Sequence, residues 1–135
     1  MIIISRGSIY LWKSYEFKDG TCKDKYWISL TCTVNGVPVY AVLPTSQYDK
    51  HYKYNEQRCY DTVILEANES QFFPKKTVID LKNIRKEDPI LLKKAIKENR
   101  LSYIGQLEQE ILERIKIEIE NAYTLSQELI DDLTC

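Results

Sequence analysis

The sequence predicts an α+β fold in which a small antiparallel sheet or barrel carries helices that are segregated against it. The first part of the chain contains short runs rich in Ile, Val, Tyr and Trp, bounded by turn residues, which is typical of antiparallel strands. The later part repeats apolar residues at helical spacing, and strands followed by helices favour the α+β class. A length of 135 residues and a hydrophobic content of 44% predict one domain over residues 1–135, with 125–135 as a frayed tail.

Three strands are predicted at the start of the chain, over residues 2–12, 26–33 and 37–43. Asn35-Gly36 separates the second from the third. Asn-Gly is the strongest short-range hairpin signal because a type I′ turn needs positive φ at both central positions. The segment 18–25 is charged and contains a glycine, so it is predicted to be an exposed, mobile loop.

Two further strands and a short helix are predicted next. Residues 62–67 and 77–81 carry β-branched runs, and a loop over 68–76 connects them. Asp88-Pro89 predicts a helix start, because a carboxylate caps the first N–H groups and proline suits the first helical position. The helix over 90–98 should place four apolar residues on one side: Leu91, Leu92, Ala95 and Ile96.

The longest helix is predicted over residues 107–122, after an extended piece at 101–104. Charged residues mostly occupy its outer face, and residues 125–130 can add a last helical turn or two. The inner face is defined by apolar residues at every fourth position: Leu107, Ile111, Ile115 and Ile119. Such a stripe normally packs on a domain's own sheet.

Composition predicts a cytoplasmic protein without a zinc site. Residues 1–4 are too short for a signal segment, and no stretch approaches the roughly 20 apolar residues that span a bilayer. The net charge of −1 means that any polyanion site would be a local patch. Cys32 lies in a predicted strand and is expected in the core. The cysteines form no Cys-x-x-Cys pair and lie in segments other than that of His51: Cys22, Cys32, Cys59 and Cys135.

A cationic segment and a hydroxyl pair flank the predicted Asn-Gly hairpin. Lys23 and Lys25 end the segment before the second strand, and Thr45-Ser46 follows the third strand. Ammonium groups and hydroxyls both bond phosphate oxygens, so this arrangement suits the binding, and also the cleavage, of something that carries phosphates.

A second candidate surface follows Ser46. Its cations can track a phosphate backbone and its aromatic rings can stack on bases, although a solvated loop explains the same composition. The histidine is the one side chain there that titrates near neutrality, so it is a candidate for proton transfer or, equally, a solvated loop residue. Paired carboxylates, a phosphate-cradling glycine loop and a Ser-His-Asp order are not convincing. The run comprises Tyr48, Lys50, His51, Tyr52, Lys53, Tyr54 and Arg58.

Five segments, in order along the chain, resemble the motifs of the PemK/MazF family of toxin endoribonucleases from bacterial toxin–antitoxin modules. They correspond to that family's opening strand, its glycine-bearing loop and second strand, its Pro-hydroxyl segment, a later strand ending in Ile-Arg, and its closing helix. The segments are Arg6-Gly7-Ser8-Ile9-Tyr10, Asp19-Gly20 with residues 23–30, Val42-Leu43-Pro44-Thr45-Ser46-Gln47, residues 73–81 with Ile84-Arg85, and Tyr103-Ile104-Gly105-Gln106-Leu107 with Ile111, Leu112 and Ile115.

This resemblance implies a twisted, Src-homology-3-like β-barrel with a C-terminal helix, usually present as a homodimer. It implies growth inhibition through cleavage of single-stranded RNA, often mRNA, without a metal or cofactor, and silencing by a cognate antitoxin that is more often a protein than an RNA. Matched by position, the family's catalytic arginine falls on Lys25 and its hydroxyl on Thr45, with Ser46 beside it. The expected Arg-Pro is here Lys25-Tyr26, and lysine lacks the planar fork of arginine.

The chemistry expected of such an enzyme starts with attack of a 2′-hydroxyl on the adjacent phosphorus. Lys25, helped by Lys23, would stabilise charge on the non-bridging oxygens, and Thr45 or Ser46 would donate a hydrogen bond. RNA contacts are expected from the second surface, at Tyr48, Lys50, His51 and Lys53.

Two other functions stay open from the sequence. The Lys25-Tyr26 departure favours a non-catalytic relative that binds RNA or poisons a protein target, as the CcdB branch acts on DNA gyrase. A resemblance to ToxN-type nucleases would instead imply an RNA antitoxin.

Overall fold

The computed structural model describes residues 4–31 and 38–134, with residue 57 described by its backbone alone. Within these residues the fold is α+β, as predicted, with a five-stranded antiparallel sheet, a two-stranded sheet and four α-helices. The strands are β1 Ser8–Glu16, β2 Cys22–Ser29, β3 Val39–Val42, β4 Thr62–Leu65, β5 Thr77–Asp80, β6 Arg85–Glu87 and β7 Leu101–Gln106. The helices are α1 Tyr48–His51, α2 Pro89–Lys97, α3 Gln109–Glu120 and α4 Gln127–Thr134.

The chain divides into two compact units. The first unit comprises Met1–Leu43 and Arg85–Gln106, and the second unit comprises Pro44–Ile84 and Leu107–Cys135. The prediction of one domain and the prediction of a closed barrel both stay predictions.

The first unit contains the larger sheet, in the strand order β6-β3-β2-β1-β7. Its central ladder pairs Trp12 with Lys25 and Tyr15 with Lys23, so three steps along β1 match two steps along β2. The extra residue forms a β-bulge, and Ser14 takes a φ of 56° there and donates its N–H to Asp24 Oδ1 at 2.9 Å. The bulge places Trp12 and Tyr15 on the same face of the sheet.

This pairing corrects the predicted opening of the chain. β1 begins at Ser8 and runs on to Glu16, past the predicted end at residue 12, because the bulge interrupts the alternation on which the prediction relied. The predicted loop over 18–25 is wrong from Cys22 onward, since Cys22 to Lys25 already pair with β1. Only a tight turn remains, in which the Phe17 N–H bonds Thr21 O and Gly20 has a φ of 88°. The hairpin predicted at Asn35-Gly36 and the core position predicted for Cys32 lie outside the described residues.

Aromatic residues and one helix form the core of the first unit. Trp12, Tyr15 and Trp27 are buried together with Leu92 and Ala95 of α2. The predicted start of α2 is confirmed, because Asp88 Oδ1 accepts a hydrogen bond from the Ile90 N–H at 2.8 Å. Leu91 was predicted to face inward and is 48% exposed, because the buried side of this short helix is narrower than predicted.

The second unit pairs β4 with β5 and carries three of the four helices. The predicted stripe of the long helix is confirmed, since every member of it is buried: Leu107, Ile111, Ile115 and Ile119. Helix α4 has about the two turns predicted, but it runs to Thr134 instead of residue 130, and it buries Ile130 and Leu133. Among the described residues, no helix is both long and apolar enough to cross a membrane.

Candidate functional site

Lys23 and Lys25 lie in β2 of the first unit and extend from the same face of the sheet as Tyr15 and Trp12, their ladder partners. Lys23 is exposed, whereas Lys25 is half-buried and places Nζ 5.9 Å from the centre of the Phe17 ring. The backbone hydrogen bonds of the ladder therefore hold the predicted catalytic lysine in a strand rather than in a mobile loop.

Arg85 approaches the same aromatic residues, although it was not among the site residues predicted from the sequence. Its Cζ lies 5.3 Å from the centre of the Phe17 ring and 5.4 Å from that of Tyr15. The strand that positions it has three residues and no apolar alternation, so periodicity could not have identified it. The Ile84-Arg85 pair within the resembling segments was the available signal.

A buried acid adjoins this arginine. Glu87 is two residues after Arg85 in β6 and accepts a hydrogen bond of 2.8 Å from the Tyr15 hydroxyl. Burial raises the pKa of the Glu87 carboxyl, and this effect exceeds the opposing effects of the Tyr15 bond and the Arg85 charge. Burial and the same carboxyl raise the pKa of Tyr15 far above its ordinary value.

Thr45 and Ser46 begin the second unit's candidate surface. Thr45 is fixed by two backbone hydrogen bonds to Val78, of 3.0 and 2.8 Å. Its hydroxyl oxygen accepts the Gln47 N–H at 3.2 Å, which leaves the Oγ–H free to rotate toward a ligand. Ser46 is exposed. The bridge to Val78 thus holds the backbone of Thr45 in a defined position.

The run after Ser46 begins with a helical turn, α1, which was not predicted. His51 bonds Gln47 Oε1 at 3.0 Å through its Nε2, and Lys50 is exposed. The Lys53 Nζ lies 4.0 Å from Asp49 Oδ1 and 5.3 Å from the centre of the Tyr54 ring.

The tyrosines of this run differ in what they can bind. Tyr54 is 93% exposed, whereas Tyr52 is buried and donates its hydroxyl to Asp80 Oδ2 at 2.7 Å. Tyr48 is half-buried, and the ammonium of Lys76 lies 3.8 Å from its ring centre. Lys76 was predicted to lie in a connecting loop, and the sequence did not indicate this contact, which joins residues 28 positions apart.

The two groups of predicted site residues belong to different units. Lys23 and Lys25 are in the first unit, whereas the second unit contains Thr45, Ser46, Tyr48, Lys50, His51 and Lys53. Within the ranges that the structure describes, no three His, Cys, Asp or Glu side chains form a group that could hold a metal ion. Each unit by itself therefore offers cations near aromatic rings, which can contact phosphates and stack on bases, and the second unit adds hydroxyls.

Comparison with known proteins does not identify the chain. No protein-family model matches it, and no curated protein has a matching sequence. Membership of the PemK/MazF family accordingly remains a prediction from the motifs.

Proposed function

We propose that this protein is a metal-independent endoribonuclease toxin of a toxin–antitoxin module, which cleaves single-stranded RNA and so inhibits growth. The observation that supports the proposal is the surface of the second unit, where a hydroxyl pair precedes a run, residues 48–58, that contains cations and aromatic rings. Thr45 is held by Val78, and Lys76 covers the Tyr48 ring at 3.8 Å. Proteins commonly bind single-stranded RNA through hydroxyls, lysines and the faces of aromatic rings.

The proposed reaction is a transphosphorylation that needs no cofactor. The 2′-oxygen bonds to phosphorus and the bond from phosphorus to the 5′-oxygen breaks, which leaves a cyclic phosphate and a 5′-hydroxyl. Lys25, with Lys23 near it, stabilises the charge that grows on the non-bridging oxygens. In the second unit, Thr45 or Ser46 is assigned as a hydrogen-bond donor to RNA phosphate, and His51 is the candidate for moving a proton.

The finer features of the fold and the partners belong to the same proposal. The sheet of the first unit corresponds in this view to a PemK/MazF-type, Src-homology-3-like barrel, and two copies form a homodimer. A cognate antitoxin silences the toxin in the cytoplasm. RNA contacts are assigned to Tyr48, Lys50, His51 and Lys53.

Incubation of the purified protein with long single-stranded RNA in EDTA tests the proposal, with mapping of the new ends. We expect discrete cuts that carry 5′-hydroxyl ends. Lys25→Ala and Thr45→Ala should each slow cutting about a hundredfold or more, because each removes a group that stabilises the transition state. Lys13→Ala and Ser102→Ala are the matched controls, since both side chains are exposed. Intact RNA with folded wild-type protein would contradict the proposal, and unchanged cutting in both variants would contradict the residue assignment.

A non-catalytic binding protein is the second candidate, and the environment of Lys25 favours it. This lysine stands where the family has arginine, and its ammonium contacts the Phe17 ring. Cation–π contact places the charge well for binding but offers no bidentate fork for a transition state. Binding of RNA without cleavage would support this candidate, and growth arrest with intact RNA would indicate a protein target.

A further inference from the structure

Arg85 and Lys25 share a single face of the first unit's sheet. The ladder pairs Arg85 with Ala41 and Ala41 with Ser29, so these side chains leave the sheet on one side. Alternation along β2 places Ser29 and Lys25 on that same side. The register alone therefore brings the two cations to one face, independently of their rotamers.

On this face, two aromatic rings are in contact with positively charged side chains. The rings of Tyr15 and Phe17 meet edge to face, with centres 5.3 Å apart. Arg85 lies over both rings, and Lys25 lies over Phe17. One ring thus has two positively charged neighbours, and Lys23, opposite Tyr15 in the ladder, adds a third charge to this face.

The charges of this cluster are only partly balanced, since the acid that interacts with the Arg85 charge, Glu87, is buried. None of the ion pairs among the described residues involves Arg85 or Lys25. Glu87 is the acid nearest in sequence, but its carboxyl is buried and bonded to Tyr15, and burial raises its pKa. Like charges gathered on one surface repel each other, and an anion between them relieves that repulsion.

We propose that Arg85 and Lys25 together bind one phosphate of a single-stranded RNA, with Arg85 supplying the bidentate contact that Lys25 cannot make. A guanidinium carries five N–H donors in one plane, so Arg85 can bond the Tyr15 hydroxyl and still present a pair that matches two phosphate oxygens. Arg85 is thus a phosphate-contacting residue of the first unit. The inference rests on the proposed function, because RNA is the ligand that both require.

Binding of fluorescein-labelled 2′-O-methyl RNA tests this assignment. Such RNA lacks the attacking 2′-hydroxyl, so binding is measured without cleavage. The wild-type protein is compared with Arg85→Ala, Arg85→Lys and Lys86→Ala over a series of salt concentrations. Lys86 is the matched control, since it is the next residue of β6, is exposed and carries the same charge.

We expect Arg85→Ala to weaken binding about tenfold or more and to reduce the salt slope by about one. Arg85→Lys should keep the salt slope but bind more weakly than the wild type, because it keeps the charge and loses the fork. Lys86→Ala should bind nearly as the wild type does. Near-ultraviolet circular dichroism establishes that each variant is folded, and the conservative Arg85→Lys keeps the test valid if the alanine variant is not.

The outcomes separate this inference from the proposed function. If the wild type cleaves unmodified RNA while both Arg85 variants bind and cleave as it does, the Arg85 assignment is overturned and the function stands. If the wild type binds without cleaving and Arg85→Ala loses binding, the assignment stands and the nuclease is overturned. A wild type that neither binds nor cleaves RNA overturns both.

Discussion

The two units stabilise their buried carboxyl groups by opposite means. In the first unit Glu87 accepts a hydrogen bond from the Tyr15 phenol, and burial raises its pKa. In the second unit burial also acts to raise the pKa of Asp61, but the Thr124 hydroxyl and the N–H groups of Tyr123 and Thr124 outweigh it and lower that pKa. Both residues are buried, but the Glu87 carboxyl lies deeper among protein atoms than that of Asp61, and this deeper burial adds to the difference.

The depth of burial and the donors around an acid thus decide together which of its two forms the fold favours. Two backbone N–H groups cannot turn away or accept a proton, so they stabilise the carboxylate. A phenol stabilises the carboxylate form less than these N–H groups do, because its hydroxyl is the single donor that it offers. The Asp61 carboxylate therefore holds the segment before α4 through hydrogen bonds to Tyr123 and Thr124, whereas the surroundings of Glu87 favour its protonated form.

The largest expected effect comes from removing the hydrogen bonds that Asp61 accepts from Tyr123 and Thr124. Asp61→Asn should lower the free energy of unfolding by about 3 kcal/mol, because an amide NH₂ would face N–H donors that are now satisfied. Asparagine tolerates the φ of 53° at this position, so backbone strain does not confuse the result. Urea unfolding followed by circular dichroism measures the change. The exposed Asp49→Asn is the control, and an equal loss in both variants would remove the special role of Asp61.

A smaller effect should distinguish the two buried phenols. Tyr15→Phe removes the phenol donor of Glu87 and should cost about 2 kcal/mol. Tyr52→Phe should cost only about 1 kcal/mol, since Asp80 keeps the Lys82 N–H, the Lys82 ammonium and Asn83 as partners. Burial and the Asp80 bond raise the pKa of Tyr52 to about 12, so its phenol is protonated in the test. Urea midpoints of the two variants give the comparison, and the reverse order would contradict it.

The smallest effect at neutral pH, yet the clearest in its pH dependence, is expected for Glu87→Gln. The amide keeps an acceptor for Tyr15, so stability should change by no more than about 1 kcal/mol. In the wild type, the contribution of Glu87 to the free energy of unfolding is fully present below the ordinary glutamate pKa of 4.5. It is lost as the pH rises through the raised pKa of the folded state. The stability of the variant relative to the wild type should therefore increase over that window in urea titrations.

Asp61 should give the opposite sign in the same titrations. Its contribution is present above the ordinary aspartate pKa of 3.8 and is lost as the pH falls through its lowered value. Parallel stability profiles of the wild type and Glu87→Gln would show that Glu87 does not titrate as described.

Local signals in the sequence predicted the parts of the fold that depend on neighbouring residues. The four-residue repeat from Leu107 to Ile119 and the cap at Asp88 both act within one helix, so periodicity and composition identified them. The long-range features were not accessible in this way. Strand β6 exists because Arg85 pairs with Ala41, and Asp61 is held by residues more than 60 positions away.

For the candidate site, the sequence allowed residues to be proposed but did not indicate the contacts that they make. The sequence selected Lys25, Thr45 and Tyr48 by residue type and by resemblance. It could not predict that Lys76 covers Tyr48 or that Arg85 covers Phe17, because each contact joins segments that only the folded chain brings together.

The bulge at Ser14 has a consequence for how this strand tolerates changes in length. In a regular strand, a deletion of one residue moves every later side chain to the opposite face. Here Trp12 and Tyr15 already pair with Lys25 and Lys23, which are two positions apart, so nine residues of β1 pair as eight would. Loss of Ser14 would restore a regular ladder and leave Tyr15 on its present face. The most disruptive kind of change to a core strand is thus accommodated at this one position.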